Sequence, residues 1–534
     1  MKFKVATRFA PSLFFVFASA CGGLGAYDDT SIAAPDNTGG NPNNPNAGNN
    51  TNVNLGGAQD FGYFRRLLDA NQVPRPDDVD DAGFFAEHHT PLPEPECGER
   101  VCGQAMLGVM ANLINGNNCT LLQVGLNSPL AVDPNNRPPL NLAIVVDVSG
   151  SMSSEGKMDF VKSGLMQMVN ELYDDDRIAI VAYSGDAEVR FEMAEVRGAR
   201  NRLREVVDGL VPGGSTNLWG GLELGYQQVL QNYDIGLQNR VILLSDGQPT
   251  AGVTGPAQIL ENSRAYNSDG VGLTTIGLGT SFNYALMRDL SLQGDGNAYF
   301  VEDASAVEEV FTEELAYFTV PVAFDLEIEV EAGADYRFRN AYGSSLFEHD
   351  LTSGRLSIPS VFLAHRTSHD DVTEGNGRRG GGSALLLELM PNDDVAQDGD
   401  TDVAGIALSY RVPGQTERVT QSLKVAYPHP ADVLLREGFF DNDIVTKSFV
   451  MLNILVGMRG ATDLFHRGQG ADGVDLLRRL IAAVADYEDG VNDGEGDVDM
   501  QLDIALLEQL ADVMIANGAI DRQAPVEEDP WPRD

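Results

Sequence analysis

The sequence has few basic residues. It contains 36 Lys and Arg against 79 Asp and Glu, a formal net charge of −43 over 534 residues. Proteins that bind nucleic acid need a basic face for the phosphates, so we expect no nucleic-acid partner. The same deficit disfavours electrostatic adhesion to anionic lipid. Because hydrophobic residues still make up 43% of the chain, the acidity does not indicate disorder.

Histidine is scarce, and its placement restricts the chemistry. None of the seven histidines lies within residues 140–320, so a Ser-His-Asp triad or a zinc site in this central part is excluded. The fingerprints of dinucleotide-binding loops, P-loops and HExxH helices are also missing from the sequence. We therefore expect no catalytic residues and no enzyme activity.

Long apolar runs are missing as well. After the N-terminus no stretch reaches the ~18 uninterrupted apolar residues of a spanning helix, so we expect no transmembrane helix in the mature chain. Residues 1–20 have a basic start, a short apolar core and small residues before Cys21, which is the pattern of a signal peptide. The pattern resembles a bacterial lipoprotein signal. This implies that a lipid on Cys21 is the only membrane anchor; ordinary secretion with an incidental cysteine is the alternative.

The location follows from this signal. We expect a protein of the cell envelope. By resemblance to lipoprotein sorting, Gly22 carries no obvious inner-membrane retention signal, which favours an outer-membrane lipoprotein that faces the periplasm or the surface. Residues 21–57 are rich in Asn, Gly and Pro and bury too little apolar area to fold, so we expect a disordered tether.

Cysteine is limited to four residues. Besides Cys21 there are Cys97, Cys102 and Cys119, and an exported chain can form disulfides. Three cysteines cannot all pair, so we expect one disulfide bridge and one free thiol. Which two of the three cysteines pair is left open. A zinc site that adds His88, His89 or a fourth thiol is the alternative.

The central residues 140–320 show strands that alternate with helices. Leu140–Val146 is a continuous apolar run, typical of a strand buried on both faces, and Lys157–Tyr173 has helical spacing. Repeated alternation of this kind predicts a doubly wound, Rossmann-like α/β domain with a parallel sheet. In such sheets the functional site lies at the carboxyl ends of the strands.

Three groups of polar residues fall at that edge: one directly after the first strand, one in a Gly-rich loop before a helix, and one after a later strand. They contain Asp147, Ser149, Ser151, Thr216 and Asp246. Hydroxyl and carboxylate oxygens suit a hard cation, Mg²⁺ or Mn²⁺, with Ca²⁺ as an alternative. Only Asp147 and Asp246 are charged. If they act mostly through bound waters, the cation stays electron-poor, and an open sixth position can take a carboxylate from another molecule.

The pattern Asp147-x-Ser149-x-Ser151, together with Thr216 and Asp246, resembles the metal-ion-dependent adhesion site of von Willebrand factor type A domains. The resemblance implies that the two serines and the threonine bind the metal through their hydroxyls. It implies that the two aspartates hold the metal largely through water. It also implies a protein partner that presents an Asp or Glu carboxylate.

A second resemblance concerns the N-terminal part. The segment Phe64–Asp69, followed by Val73-Pro74 and Asp77–Val79, is similar to the start of YfbK-type bacterial lipoproteins, which carry a von Willebrand A domain in the middle. It implies that residues 58–139 form an N-terminal segment that packs partly on a β-domain. The chloride-channel label sometimes given to that family does not carry over, because we expect no spanning segment.

The remaining parts follow from local patterns. Residues 321–430 contain several short strands with turns between them and predict a β-sandwich-like domain. Leu121–Val132 is also strand-like, so we expect the α/β domain to be inserted into this β-domain. Residues 431–534 predict a helical region with a loose tail. The acid-rich segment Tyr487–Asp499 does not fit an EF-hand register, and we expect a solvated loop.

Three functional hypotheses follow. The first is an exported, lipid-anchored module that binds a protein partner through a metal-bridged carboxylate. The second is a structural scaffold of the cell envelope, in which the metal only stabilises the fold. The third is a metal-assisted hydrolase.

Overall fold

The computed structural model describes residues 51–59, 61–130, 138–234, 237–279, 282–301, 310–311, 321–364, 382–392, 400–413, 415–488 and 496–522. The predicted signal peptide, Cys21, most of the predicted tether and the end of the predicted tail lie outside these residues. The alternating pattern of the sequence also predicts a helix from Ala304 to about Phe318, which lies outside the described residues apart from Val310 and Phe311.

The elements fall into three groups along the chain. Before residue 140 they are β1 (Thr51–Asn54), β2 (Gly57–Ala58), α1 (Gly62–Asp69), α2 (Asp81–Ala86), β3 (Cys102–Ala111) and β4 (Asn118–Ser128). The central ones are β5 (Leu140–Asp147), α3 (Lys157–Glu171), β6 (Arg177–Tyr183), β7 (Ala187–Glu195), α4 (Arg200–Asp208), α5 (Leu218–Gln231), β8 (Gln238–Ser245), α6 (Pro256–Ser268), β9 (Gly272–Leu278), α7 (Tyr284–Gln293) and β10 (Asn297–Val301). The last group is β11 (Pro321–Ala332), β12 (Tyr336–Tyr342), β13 (Glu348–His349), β14 (Ser353–Leu363), β15 (Leu385–Pro391), β16 (Thr401–Arg411), β17 (Arg418–Tyr427), β18 (Phe439–Phe440), α8 (Asp443–His466), α9 (Gly470–Glu488) and α10 (Val498–Ala516).

The central group forms an α/β domain on a seven-stranded sheet with the order β2-β10-β9-β8-β5-β6-β7. Neighbouring strands are parallel, except that β7 is antiparallel to β6 at one edge. All of β5 is buried, and its successive side chains alternate between two cores, so that Ile144 packs in one and Val145 in the other. Cores on both faces explain the continuous apolar run of this strand. The predicted doubly wound α/β fold is confirmed.

The flanking strands form a β-sandwich-like domain. One layer contains β18, β3, β4, β15 and β12, the other contains β14, β11, β16 and β17, and β1 pairs with both β4 and β14. Leu122 of β4 and Leu387 of β15 share a core with Ile328 of β11 and Leu408 of β16. Strands from before and after the α/β domain therefore build one sandwich, and the α/β domain is inserted between them.

The N-terminal segment also touches the other two parts. Tyr63 of α1 stacks on Tyr284 of α7 with ring centroids 4.7 Å apart. Asp80, before α2, accepts a 2.9 Å hydrogen bond from Arg288 of α7. His88 Nε2 lies 2.7 Å from Asp503 Oδ2 in α10. This segment packs between the α/β domain and the C-terminal helices, in addition to supplying strands to the sandwich.

The prediction that residues 21–57 are a disordered tether is wrong for their last part. Thr51–Asn54 form β1, and Gly57 begins β2, which pairs with β10 at the edge of the α/β sheet. Val53 is fully buried. The composition did not predict these strands, because they are held by backbone hydrogen bonds to strands of the two sheets. Polar side chains do not prevent such bonds.

The C-terminal helices α8, α9 and α10 pack on one another and on the sandwich layer that contains β3. Among the described residues, α8 has the length and apolar composition of a membrane span, with a mean hydropathy of 1.3, but 83% of that stretch is buried inside the structure. Such burial is typical of a core helix. The absence of a transmembrane helix from the mature chain stays a prediction.

The prediction of a solvated loop at Tyr487–Asp499 is wrong at its ends, while its middle lies outside the described residues. Glu488, Asp497 and Asp499 are buried. Lys447 Nζ of α8 lies 2.8 Å from Asp497 Oδ2 and 3.0 Å from Asp499 Oδ2. Asp497 also caps α10 through a 2.9 Å bond from the Asp499 amide. Asp497 and Asp499 thus form a buried ion pair with Lys447, and Asp497 also caps a helix. Composition alone cannot distinguish such acids from those of a solvent-exposed acidic loop.

The cysteines differ from expectation in one respect. Cys97 and Cys102 form a disulfide with Cα atoms 5.7 Å apart, so one bridge is present. Cys119 is buried in β4 and is not a free thiol, so the expected free thiol is wrong. Because the sulfurs of Cys97 and Cys102 are joined, a zinc site that uses them as thiolate ligands is excluded.

Candidate metal centre at the carboxyl edge of the sheet

Three parallel strands bring the predicted site residues together. β5 lies between β6 and β8, with Asp147 opposite Tyr183 and Val146 opposite Leu244. The carboxyl ends of all three strands therefore stop at the same level. Asp147 closes β5, and Asp246 directly follows β8, so both carboxylates arrive at one edge of the sheet.

Asp147 is fully buried and held by three donors. Its Oδ1 accepts from the Ser149 amide at 2.8 Å, and its Oδ2 accepts from Ser245 Oγ at 2.8 Å and from the Tyr183 hydroxyl at 3.2 Å. Burial raises the pKa of Asp147, and the hydrogen bonds from Ser149 and Ser245 act in the opposite direction. The carboxylate is thus fixed in orientation but poorly solvated, which favours a nearby cation.

A chain of oxygens links the first loop to Asp246. Ser149 Oγ and Ser151 Oγ lie 3.0 Å apart, and Ser151 Oγ donates to Asp246 Oδ1 at 2.7 Å. Ser149 and Asp246 are buried, whereas Ser151 is exposed. The chain of oxygens therefore opens to solvent at Ser151.

Thr216 is fixed by backbone bonds from neighbouring loops. Its carbonyl accepts from the Thr250 amide at 2.9 Å, and its amide donates to Thr250 Oγ1 at 2.9 Å. The Gly150 amide donates to the Gly214 carbonyl at 3.1 Å. Gly214 has a φ of +90°, a conformation that favours glycine, so this close approach depends on the glycine. The threonine loop is thereby tied to the Ser149–Ser151 turn.

The three groups converge at Gly247. A Cβ placed on this glycine would lie 3.6 Å from both Ser151 Oγ and Thr216 Oγ1. Since Ser151 also bonds Asp246, the hydroxyls and the second carboxylate share one small volume. All five predicted site residues therefore lie in one cluster at the sheet edge.

The donor set fits a hard divalent cation. Within the part of the chain that the structure describes, no three or more His, Cys, Asp or Glu side chains group together as metal ligands. The cluster instead combines three hydroxyls with two carboxylates, an all-oxygen set that suits Mg²⁺ or Mn²⁺. Ser149, Ser151 and Thr216 would hold the ion together with Asp147 and Asp246. The ion would supply a positive charge for an anionic ligand.

Sequence reasoning missed three neighbours of this cluster. Tyr183 and Ser245 orient Asp147. Lys157, the first residue of α3, places Nζ 3.0 Å from Asp246 Oδ2. Tyr183 and Ser245 could have been found from their places at the ends of strands next to β5. Lys157 had no such signal, because it lies outside the motif and reads as an ordinary helix residue.

Two further features border the cluster. Trp219 follows the threonine loop, where its side chain could contact a ligand or pack against the sheet edge. It is 8% exposed and packs in the core beside Tyr266, so it is a structural residue. A groove of about 360 Å³ lies between the Met152 turn and the Leu210–Pro212 segment. Val211 at its rim is 73% exposed, which is unusual for an apolar side chain in this structure. The surface beside the cluster is therefore partly apolar.

Residues 141–313 match the family model of the von Willebrand factor type A domain. The doubly wound fold and the complete residue pattern at the sheet edge agree with this match, so the chain contains a domain of this family. The family commonly binds proteins and a divalent metal at the corresponding site.

The chain is similar to YfbK of Escherichia coli (strain K12), with 34% identity over 281 residues that cover 52% of this chain and 46% of YfbK. It is also similar to human inter-alpha-trypsin inhibitor heavy chain H3, with 28% identity over 207 residues, 37% of this chain and 23% of that protein. The matched part is thus less than half the length of either relative.

Solved structures show likeness at lower identity. A von Willebrand factor type A structure from Catenulispora acidiphila covers 73% of this chain and 88% of its own, with 14% identity and a TM-score of 0.49. A structure of proximal thread matrix protein 1 from the mussel byssus is described with zinc in its metal-ion-dependent adhesion site (MIDAS) motif. The match covers 34% of this chain and 46% of that chain, with 21% identity and a TM-score of 0.28.

Proposed function

We propose that the protein is an exported, lipid-anchored binding module. Its α/β domain holds a divalent cation, Mg²⁺ or Mn²⁺, and the cation binds an Asp or Glu carboxylate of a protein partner. The observation that carries this proposal is the oxygen chain Ser149–Ser151–Asp246, whose two ends are buried and whose middle residue, Ser151, is exposed to solvent.

The charge of the cluster supports an anionic ligand. Neutral hydroxyls provide three of the five groups, and the Lys157 ammonium lies 3.0 Å from Asp246, so the protein only partly neutralises a bound dication. Ser151 is exposed, so a partner's carboxylate can reach the ion from its side of the cluster. A partner at this position also covers Val211, whose exposed apolar side chain gains from burial.

We propose binding rather than catalysis. Residues 140–320 contain no histidine that could act as a general base. The Asp147 carboxylate accepts hydrogen bonds from three donors, so it is not a base that faces solvent. Metal-assisted hydrolysis is the competing activity. Turnover of an ester or peptide substrate that is lost in an Asp246→Ala variant would favour it.

The proposed place of action is the cell envelope. The sequence around Cys21 supports a lipid anchor, and an outer-membrane lipoprotein is the preferred location. Metabolic labelling with a palmitate analogue tests the anchor: label on the native chain and none on Cys21→Ser is the expected result. Membrane fractionation tests the location, and recovery of the native chain in the soluble fraction contradicts the anchor.

Partner capture from envelope extracts tests the binding mode. We expect capture in Mg²⁺, loss in EDTA, and recovery when Mg²⁺ is restored. Thr216→Ala should lose capture while the fold is retained. Ser153→Ala is the matched control, because Ser153 Oγ bonds only the local Gly150 carbonyl among the described contacts. Capture that persists in EDTA and in Thr216→Ala contradicts the mechanism.

A structural scaffold is the second candidate, favoured by the many backbone bonds that tie the three loops together. In this case Mg²⁺ raises the melting temperature, but no partner contact depends on Ser149 or Thr216. The thermal shift and the capture experiment together separate the two candidates.

A further inference from the structure

Lys157 is a buried cation beside the metal centre. Its side chain is 6% exposed, and its Nζ lies 3.0 Å from Asp246 Oδ2. The other oxygen of the same carboxylate accepts from Ser151 at 2.7 Å. Burying an ammonium group is costly unless it is paired, so this lysine is placed specifically against Asp246.

The end of β9 makes room for this lysine. A Cβ on Gly279 would lie 2.7 Å from Lys157 Cε and 3.0 Å from Nζ, closer than side chains tolerate. Gly279 also has a φ of +68°. The backbone conformation favours glycine here, and the missing side chain leaves room for the end of the lysine to reach the sheet edge.

The lysine changes the charge that a metal meets. Asp147 and Asp246 are the two carboxylates of the cluster, and the Lys157 ammonium compensates one of them. A bound dication is then left with about one uncompensated positive charge, whereas without the lysine the two carboxylates would balance it. Glu155, whose Oε2 lies 3.6 Å from the same Cβ position on Gly279, is exposed and more strongly screened by water.

We propose that Lys157 tunes the centre by weakening its hold on the metal and strengthening the attraction of the metal for an external carboxylate. Lys157 acts through Asp246, as a positioning and charge-compensating residue. This inference rests on the proposed function, because it assigns a cause to the preference for an anionic ligand. If the lysine were purely structural, its substitution would have the opposite effect on metal affinity, because Asp246 would be less well held and would bind the metal more weakly.

The test replaces the charge and keeps the hydrogen bond. Lys157→Gln can still donate to Asp246, and Lys157→Arg keeps the charge. Lys162→Met is the matched control, because Lys162 lies on the same helix and donates to the Asp208 carbonyl instead. Mn²⁺ affinity of the full chain is measured by electron paramagnetic resonance. Binding of acetate to the Mn²⁺-loaded protein is measured by the relaxation of the acetate protons.

We expect Lys157→Gln to bind Mn²⁺ about tenfold more tightly and acetate about tenfold more weakly, the scale of one close charge in a partly solvated site. Lys157→Arg and Lys162→Met should match the native chain in both. Unchanged or weaker Mn²⁺ binding in Lys157→Gln overturns the proposal. Lys157→Met is a second variant without the charge. Loss of the fold in both Lys157→Gln and Lys157→Met also overturns the proposal, since the lysine is then a structural residue. If native Mn²⁺-loaded protein binds no acetate, the proposed function fails, while the metal affinities still decide the role of Lys157 in metal binding.

Discussion

Ser245 Oγ donates a 2.8 Å hydrogen bond to Asp147 Oδ2, between the carboxyl ends of the neighbouring strands β8 and β5. Asp147 thereby has a fixed orientation before any metal arrives. The strand register produces this contact, since Val146 lies opposite Leu244 and the next residue of each strand reaches the edge. Pre-orientation of a metal ligand by its neighbours is a general feature of metal sites.

Removal of this support should weaken metal binding. We expect Ser245→Ala to lower Mg²⁺ affinity by about 10–100-fold, the usual effect of losing a group that orients a ligand. Isothermal titration calorimetry gives the affinity. Ser263→Ala is the control, because Ser263 is equally buried but its hydroxyl bonds the Tyr226 hydroxyl instead of Asp147. Equal Mg²⁺ affinity in the two variants contradicts the role of Ser245.

Metal stabilisation should depend on pH. Burial raises the pKa of Asp147, so its ionised form is disfavoured in the folded protein without metal, and a proton competes with the cation as the pH falls. We expect Mg²⁺ to raise the melting temperature more at pH 7.5 than at pH 5. Asp147→Asn should show little response at either pH. A native thermal shift that is the same at both values contradicts this account.

A second titrating group lies where the α/β domain meets the sandwich. Burial raises the pKa of Asp295 to about 7, although Arg240 acts in the opposite direction. Because the folded state binds this proton more tightly, the stabilisation from Asp295 is complete below its ordinary pKa of 3.8 and is lost as the pH rises toward about 7.

Asp295→Asn removes that dependence. The free energy of unfolding in urea should fall less between pH 4.5 and pH 8 in this variant than in the native chain. Asp269→Asn changes an exposed residue after α6. Its free energy of unfolding should fall with pH as much as that of the native chain. If Asp295→Asn keeps the native pH profile, the assignment is wrong.

The buried ion pair of the C-terminal helices should carry much of their stability. Lys447→Met leaves Asp497 and Asp499 without their cation, and we expect a loss of about 3–5 kcal/mol in the free energy of unfolding. Lys424→Met is the control, because its pair with Asp402 is exposed and should contribute about 0–1 kcal/mol. Similar losses in urea unfolding for both variants would contradict the burial argument.

The exposed valine beside the metal centre should contribute to partner binding. We expect Val211→Asp to weaken metal-dependent capture at least about tenfold, by placing a charge in an apolar contact. Leu351→Asp is matched in exposure, 65% against 73%, but lies in the sandwich domain. Dose–response capture on immobilised protein measures both variants. An equal effect of the two substitutions contradicts a local contact at Val211.

The central fold and the metal cluster could be predicted because their patterns are local. β5 reads as a continuous apolar strand, and the motif that follows it must reach the carboxyl edge of a parallel sheet. The alternation in β11, with Leu326, Ile328 and Val330 buried, likewise predicts a strand with one face on a core.

Other elements depend on distant partners and left weak local signals. β3 was missed because its small and flexible residues, including Gly103 and Gly108, break the strand pattern, yet β4 pairs with it along its whole length. α7 was also missed, although Asn283 accepts a hydrogen bond from the Leu286 amide and is a readable N-cap. The role of Lys157 could be recognised only from the three-dimensional structure, because the fold brings α3, the end of β8 and Gly279 together.

The central claim is that the five residues hold a cation that takes an external carboxylate. Electron–nuclear double resonance of the Mn²⁺-loaded protein with ¹³C-carboxyl acetate tests it most directly. The account predicts one Mn²⁺ per chain with a ¹³C coupling from directly bound acetate, and loss of this signal in Thr216→Ala. Mn²⁺ bound at this site without any ¹³C coupling, or a coupling that survives Thr216→Ala unchanged, would contradict it.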